Sequence, residues 1–574
     1  MLGLFVGRLW KGNAGPIALV GLLYLLTLVG FERDGLWTSD NAAKFLQVQA
    51  LLKSDFDSFA IPWPGRGLDP DFVYNPMPFH FSSVRDGQLY SVFSPVFAFM
   101  SSFPYAVLGY WGLYLLPYVS ALLILVAVAR LCNLLGGGRN TQQVAVLLAG
   151  LTTPVWFYAV AFWEHCIAVC LCMWSLYFVG RFVGADLGSR SNRDLVYGSC
   201  LSGFAVYVRD DLYLFFGVLV LATLVARRGP WMKTILSFGF PMAICLIPLW
   251  VWQWMVMGNP LGQHLSTHLT YSEGIVQHII DRPKVFYNQF VAASPAPIVS
   301  IILSAPFLYL WFRRPELSVD KFRTAFPLWC IVAALCCLLA FSGYVLFDSS
   351  IAYLLASSNS LFTASPVVIM ALIVNKNVPM SCLRRWLERL LLGYAGIYVL
   401  AASDLGSAGV HWGNRYLLIL YPMWALLAAI NLSAWWPFRM SHTWKQLAVV
   451  AVISASVGLQ LFSIQLLRQK KDFSHRLNDF VATNEGDVVL TSERWAGHEL
   501  YAVFFDKPVF YVEHPRAMES LLRKLDKAGY DKFLFLSQQP GMGDSKMIGE
   551  INDGMLNWYG MKIYSGSTLA RQQF

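Results

Sequence analysis

The stretch GPIALVGLLYLLTLVGFERDGLWTSDNAAKFLQ, residues 15–47, runs from an unbroken apolar segment through three charges into Ser-Asp-Asn and a helix-like polar segment. Residues 15–31 suffice to cross a hydrocarbon core of about 30 Å, and the ERDGLW that follows lacks a small-residue cleavage pattern. The run reads as a first transmembrane helix rather than a signal peptide. That reading decides the fold, because similar runs recur as far as residue 466.

Composition agrees. Of 574 residues, 56% are hydrophobic and only 13% charged, so water is not the main solvent for this surface. The net charge of +9 is no sign of a nucleic-acid partner, since the basic residues sit in short clusters between apolar runs. The 10 cysteines, from Cys132 to Cys382, lie in or beside apolar segments and read as packed thiols.

Runs near 15–31, 110–131, 144–163, 166–183, 195–208, 212–226, 234–256, 297–312, 325–347, 360–375, 389–403, 415–434 and 446–466 predict about thirteen spans. Basic clusters fall in alternate loops, among them Arg8 and Lys11; Arg227, Arg228 and Lys233; and Lys376, Arg384, Arg385 and Arg389. Positive charge stays inside, so the N-terminus is expected in the cytoplasm, with Asp40 and the C-terminal region outside. The expected fold is a polytopic α-helical membrane protein: a transmembrane domain over 1–467, whose first outer loop (32–109) carries interfacial helices, and a small extracytoplasmic α/β domain over 468–574. In that tail GDVVLTSE, KPVFYVEH and YDKFLFLS read as strands, RWAGHELYAVFF and PRAMESLLRKLDKAG as helices. In the first outer loop Ala43, Leu46, Ala50 and Leu51 recur at spacings of three and four, as in a helix lying on the membrane surface.

Several polar residues stand where hydrocarbon makes them costly. Glu164, in VAFWEHCIAVC, interrupts two apolar stretches, where an acid costs up to roughly 2.5–3.5 kcal/mol. It is either a hairpin tip reaching water or part of a site. Asp40 is either a helix cap, alone or with Ser39, or a reactive carboxylate; the topology puts it on the same outer face as Glu164. Arg209, in VYVRDDLYLFF, and Arg415, in GVHWGNRYLLILYP, either snorkel or grip an anionic headgroup, since arginine offers phosphate a fork of donors. His264 and His268 have the spacing of a metal pair but no third ligand nearby, and read as loop histidines. No GxxxxGK loop is present to cradle a nucleotide.

These residues carry a resemblance. A first span followed by Ser39-Asp40, a long outer loop, a second acid in FWEH between the third and fourth spans, and an α/β tail look like the C-type glycosyltransferase (GT-C) superfamily, its protein O-mannosyltransferase and aminoarabinose transferase branch in particular. The resemblance implies an inverting transferase that moves a sugar from a polyprenyl-phosphate carrier to an acceptor hydroxyl of a glycan, lipid or protein outside the cytoplasm, expected in a bacterial inner membrane. Asp40 is then carried over as the catalytic base. Glu164 orients the acceptor or joins Asp40 on a divalent cation, if one is used. Arg209 and Arg415 hold the leaving phosphate, with Lys44, His165 and His411 as further substrate-binding residues. No other cofactor is expected. The alternative function is a transporter or flippase, against which the absence of internal repeats counts.

Overall fold

The structure is a computed structural model that describes residues 13–78, 81–185, 191–226, 231–262, 265, 275–290, 360–372, 381–402, 411–439, 443–539, 545–552 and 560–568. The expected spans 297–312 and 325–347, and the His264/His268 pair, lie outside the described residues. The protein is a polytopic helical membrane protein. Among the described residues four helices are long and apolar enough to cross a bilayer: Tyr110–Leu134, His165–Gly184, Trp231–Met257 and Val449–Thr483. Shorter apolar helices cover Ala14–Val29, Pro95–Leu108, Leu212–Ala226 and Leu420–Ser433.

The chain divides into two compact units. The first comprises Met1–Val29, Pro117–Leu249 and Thr267–Ile464. Small residues bring its helices close. Ser175 Oγ of His165–Gly184 donates to the carbonyl of Gly198 at 2.8 Å, and a Cβ on Gly198 would come within 2.7 Å of Val179. Such tight approach by small residues is the usual means of joining helices in lipid.

Two expected spans are interrupted. The 144–163 run divides into helices Arg139–Leu151 and Val155–Ala159, because Pro154 cannot donate a backbone bond and the Thr152 and Thr153 hydroxyls donate back to Leu148 and Ala149. The 360–375 run is a short helix, Leu361–Ala364, and a 3₁₀ segment, Pro366–Leu372. Carbonyls freed there find partners in side chains: Gln460 Nε2 donates to Ala364 O at 2.6 Å, and Asn431 Nδ2 to Met370 O at 2.9 Å. Irregular backbone inside a membrane protein is tolerated only when so satisfied.

The second unit comprises Gly30–Leu116, Trp250–Ser266 and Gln465–Phe574. A hairpin pairs β1 (Ser82–Arg85) with β2 (Gln88–Ser91). The tail forms a five-stranded sheet from β3 (Val488–Thr491), β4 (Val509–Tyr511), β5 (Lys532–Ser537), β6 (Lys546–Ile551) and β7 (Met561–Ser567), in the order β4-β3-β5-β7-β6. β3 runs parallel to β4 and β5, while β7 is antiparallel to β5 and β6. One face buries Val489, Leu534, Leu536 and Ile563 against Phe473, Leu477 and Val481 of the helix Thr443–Thr483. The helix Pro515–Lys527 buries Met518, Leu521 and Leu525, an amphipathic spacing. The expected helix over 494–505 is confined to Ala496–Glu499.

The helix Ser39–Lys53 corrects an expectation. Instead of resting one face on a membrane surface, it is buried from Asn41 to Val48. Phe45 meets the rings of Tyr105, Tyr110 and Tyr501 at centroid distances of 5.2, 5.6 and 5.3 Å. Even Lys44 is buried, its Nζ 4.4 Å from the centre of the Phe93 ring. Alternation of polar and apolar positions does not reveal such a setting, because the polar residues find aromatic and backbone partners.

Candidate active site

In the first unit, Glu164, His165, Arg209 and Arg415 form one connected cluster. Glu164 is the N-cap residue of the helix His165–Gly184, directly after Trp163, so Trp163, Glu164 and His165 project from one turn. Glu164 and His165 are buried. Arg209 closes the helix Asn192–Val208 in an extended conformation, which turns its side chain out of the helix. Its Nη1 donates to Nε2 of His165 and lies 3.5 Å from Glu164 Oε1, while its Nε donates to Asp211 Oδ1 at 2.8 Å. Nδ1 of His165 stands 3.9 Å from Glu164 Oε1. A ring that accepts at Nε2 carries its hydrogen on Nδ1, on the side of Glu164. Burial alone would lower the pKa of Arg209, but Asp211 and then Glu164 outweigh it and raise it.

Arg415 enters from a loop with a defined scaffold. Gly413 takes a left-handed backbone (φ 64°), and a Cβ there would come within 2.5 Å of the Tyr421 hydroxyl oxygen and 2.9 Å of Pro154. The side-chain oxygen of Asn414 accepts from the N–H groups of Tyr416 and Leu417, each at 3.1 Å, winding the backbone around Arg415 into an Asx turn. Arg415 then lies over the rings of Trp163 and Tyr416, at 5.6 and 5.0 Å, and its Nη2 donates to the Tyr416 hydroxyl at 3.0 Å. Arg209 lies over the same Tyr416 ring at 5.5 Å. Two guanidinium groups thus share one tyrosine. Stacking uses their faces, while donors in the guanidinium planes reach Asp211, Glu164, His165 and the Tyr416 hydroxyl. The His165 ring stacks on Tyr158 at 4.8 Å and meets Trp163 at 4.6 Å. His411, at the start of the Arg415 loop, is buried.

Asp211, Tyr416, Tyr158 and Trp163 were not among the expected site residues. Asp211 shares with Arg209 the charged break in VYVRDDLYLFF, and Tyr416 and Trp163 directly adjoin Arg415 and Glu164.

In the second unit, the cap of the helix Ser39–Lys53 is Thr38, whose N–H donates to Asn41 Oδ1 at 3.1 Å. Thr38, rather than Ser39 or Asp40, is thus the cap. Asp40 occupies the first helical turn, half-buried, where the helix dipole favours a negative charge. Its charge reaches His498. Burial pushes His498 down to about 4, against the opposing pull of the Pro76 backbone and of Asp40. The His498 ring packs on Phe81 at 4.3 Å. This neutral, enclosed histidine was missed because, in sequence, AGHEL looks like an ordinary helix.

Among the described residues one group offers metal-ligand geometry: Glu32, Asp34 and His475, whose ligand atoms lie within 4.8 Å of one another. Carboxylate and imidazole donors suit a first-row divalent ion. Asp34 and His475 already pair, with His475 Nδ1 and Asp34 Oδ2 2.8 Å apart.

No family model matches the chain, and no curated protein matches it. Among solved structures it is similar to the archaeal oligosaccharyltransferase AglB from Archaeoglobus fulgidus in complex with an inhibitory peptide and a dolichol-phosphate. That likeness has TM-score 0.49 and 11% identity, over 91% of this chain and 69% of that one. It is also similar to ArnT from Cupriavidus metallidurans bound to undecaprenyl phosphate (TM-score 0.41, 14% identity, over 97% and 98% of the two chains). A further AglB structure is a complex with Zn and sulfate. At this degree of likeness the residues of this chain carry the functional argument.

Proposed function

We propose that the protein is a glycosyltransferase that takes a sugar from a polyprenyl-phosphate carrier and transfers it, with inversion, to an acceptor hydroxyl on the extracytoplasmic side of a bacterial inner membrane. The observation that supports this most is the pair of guanidinium groups, Arg209 and Arg415, brought from distant segments to one tyrosine beside Glu164 and His165. Cations stacked on aromatic rings at the ends of apolar helices suit a phosphate attached to a hydrophobic tail. A substrate in the membrane is also what an outward-facing site requires, since soluble nucleotide sugars stay in the cytoplasm.

Asp40 acts as general base. A hydroxyl is a weak nucleophile, and a carboxylate that takes its proton as the carbon–oxygen bond forms contributes roughly 10²- to 10⁴-fold. The bond from the anomeric carbon to the carrier phosphate breaks in the same displacement, and its electrons leave on the phosphate. That group needs cations rather than an acid, the part given to Arg209 and Arg415. Glu164 holds Arg209 and the Nδ1 side of His165 in place. Lys44 and His411 are further binding residues of this proposal.

The test is release of free polyprenyl phosphate from a labelled lipid-linked sugar by the purified protein. A glycosyltransferase liberates it in step with transfer. A transporter leaves the ester intact, and that result would overturn the proposal.

A further inference from the structure

The helices Leu212–Ala226 and Cys382–Ala401 pack together, with Gly393 close enough that a Cβ there would stand 3.6 Å from Val218. Between them runs a groove of about 370 Å³. One wall is an apolar stripe, Val218, Leu221 and Val225, spaced as one helical face. Leu221 and Val225 are 57% and 74% exposed. The other wall carries Arg385, Trp386 and Arg389. Arg385 and Arg389 are both exposed and one turn apart, so their charges stand on one face of their helix. Trp386 is 2% exposed, and its indole N–H has no acceptor among the described residues.

A groove that is hydrocarbon-like along one helix and doubly cationic along the other, with a buried donor lacking an acceptor, matches one kind of molecule. We infer that it binds an anionic membrane phospholipid, one acyl chain along Val218, Leu221 and Val225 and the headgroup phosphate at Arg385 and Arg389. Free phosphate would use the arginines but not the apolar wall. A zwitterionic lipid would use the wall but gain little from two cations. The groove lies where the helix Cys382–Ala401 begins and Leu212–Ala226 ends, the ends that sequence topology assigns to the cytoplasmic side. Basic recesses between helices on that side favour anionic headgroups, with each arginine near the surface adding roughly a further factor of five. The site does not depend on the proposed transfer reaction.

The test uses the full chain, delipidated in detergent and titrated by native mass spectrometry with phosphatidylglycerol or phosphatidylcholine of the same acyl chains. The wild type should retain phosphatidylglycerol roughly 25-fold more tightly. Arg385→Gln with Arg389→Gln should abolish the preference, and Arg385→Lys with Arg389→Lys should keep most of it. Val225→Trp, which fills the groove and spares both charges, should weaken binding of both lipids, and it reads the site even if the double glutamine variant fails to fold. Equal binding of the two lipids by the wild type would overturn the inference. So would displacement of phosphatidylglycerol by inorganic phosphate, tighter binding of undecaprenyl phosphate lost in the same variants, or a preference that survives Arg385→Gln with Arg389→Gln.

Discussion

The two units bury charge in opposite ways. In the second, Lys470 Nζ and Glu499 Oε2 meet at 2.7 Å with side-chain exposures of 0% and 1%, a fully buried pair. Burial pushes Glu499 up while Lys470 pulls it back. In the first, Arg209 is divided among Glu164, His165, Asp211 and the Tyr416 ring, and Arg415 joins it over that ring. So deeply buried an ion pair specifies packing, and Lys470 lies in addition over the Phe473 and Trp495 rings, at 5.2 and 5.9 Å. In the extended cluster Arg209 is shared among two acids, a histidine and an aromatic face, and a second guanidinium stands over the same ring, so two cations are gathered at one place, the arrangement expected where an anion is received.

Substitutions can break this contrast, starting with the largest effect. Asp40→Asn should lower turnover by roughly 10²- to 10⁴-fold while the donor still binds, measured as polyprenyl phosphate released per unit time. Near-normal turnover would remove Asp40 from the reaction. Glu499→Ala strands a buried ammonium and should cost about 3–5 kcal/mol, seen as a fall in Tm. Lys470→Met with Glu499→Leu should recover most of it, as a purely structural pair requires.

Acid should act through His498. Its pKa is about 4 in the fold against 6.5 as a free side chain, so the folded state keeps it neutral while the unfolded chain takes up a proton. Stability is unaffected above pH 6.5, declines as pH falls from 6.5 towards 4, and levels off below, a loss of about 3 kcal/mol from this group. Melting curves of His498→Gln should lack that decline. Arg415→Ala should have the smallest energetic effect, raising the apparent donor KM about 10- to 100-fold, or about 1.4–2.7 kcal/mol, with little change in Tm. If its Tm fell as far as that of Glu499→Ala, the arginine cluster would be a packing device too, and the contrast would fail.

Sequence reading found what hydrocarbon makes conspicuous. Glu164, Arg209 and Arg415 stood out because each interrupts an apolar context, and the structure joins all three, with His165, in one cluster. Strands β3, β4 and β5 were legible from their β-branched and aromatic runs. β6 and β7 were not, since KMIGEI and MKIYSGS carry glycine and mixed polarity. The breaks near Pro154 and Pro366 were hidden by hydropathy, which averages over a proline inside an apolar window. The helix Ser39–Lys53 looked interfacial because pattern alone does not show a lysine resting on Phe93.

The Arg415 loop hangs on Gly413, which no side chain can replace without meeting Tyr421 or Pro154. The guanidinium is therefore aimed by the course of the main chain, with Asn414 as its buttress, rather than by a free choice among rotamers. A ligand meeting an arginine already so restrained surrenders little conformational entropy on capture. Firmness of grip in this cluster would then arise as much from what has been immobilised beforehand as from the charge presented.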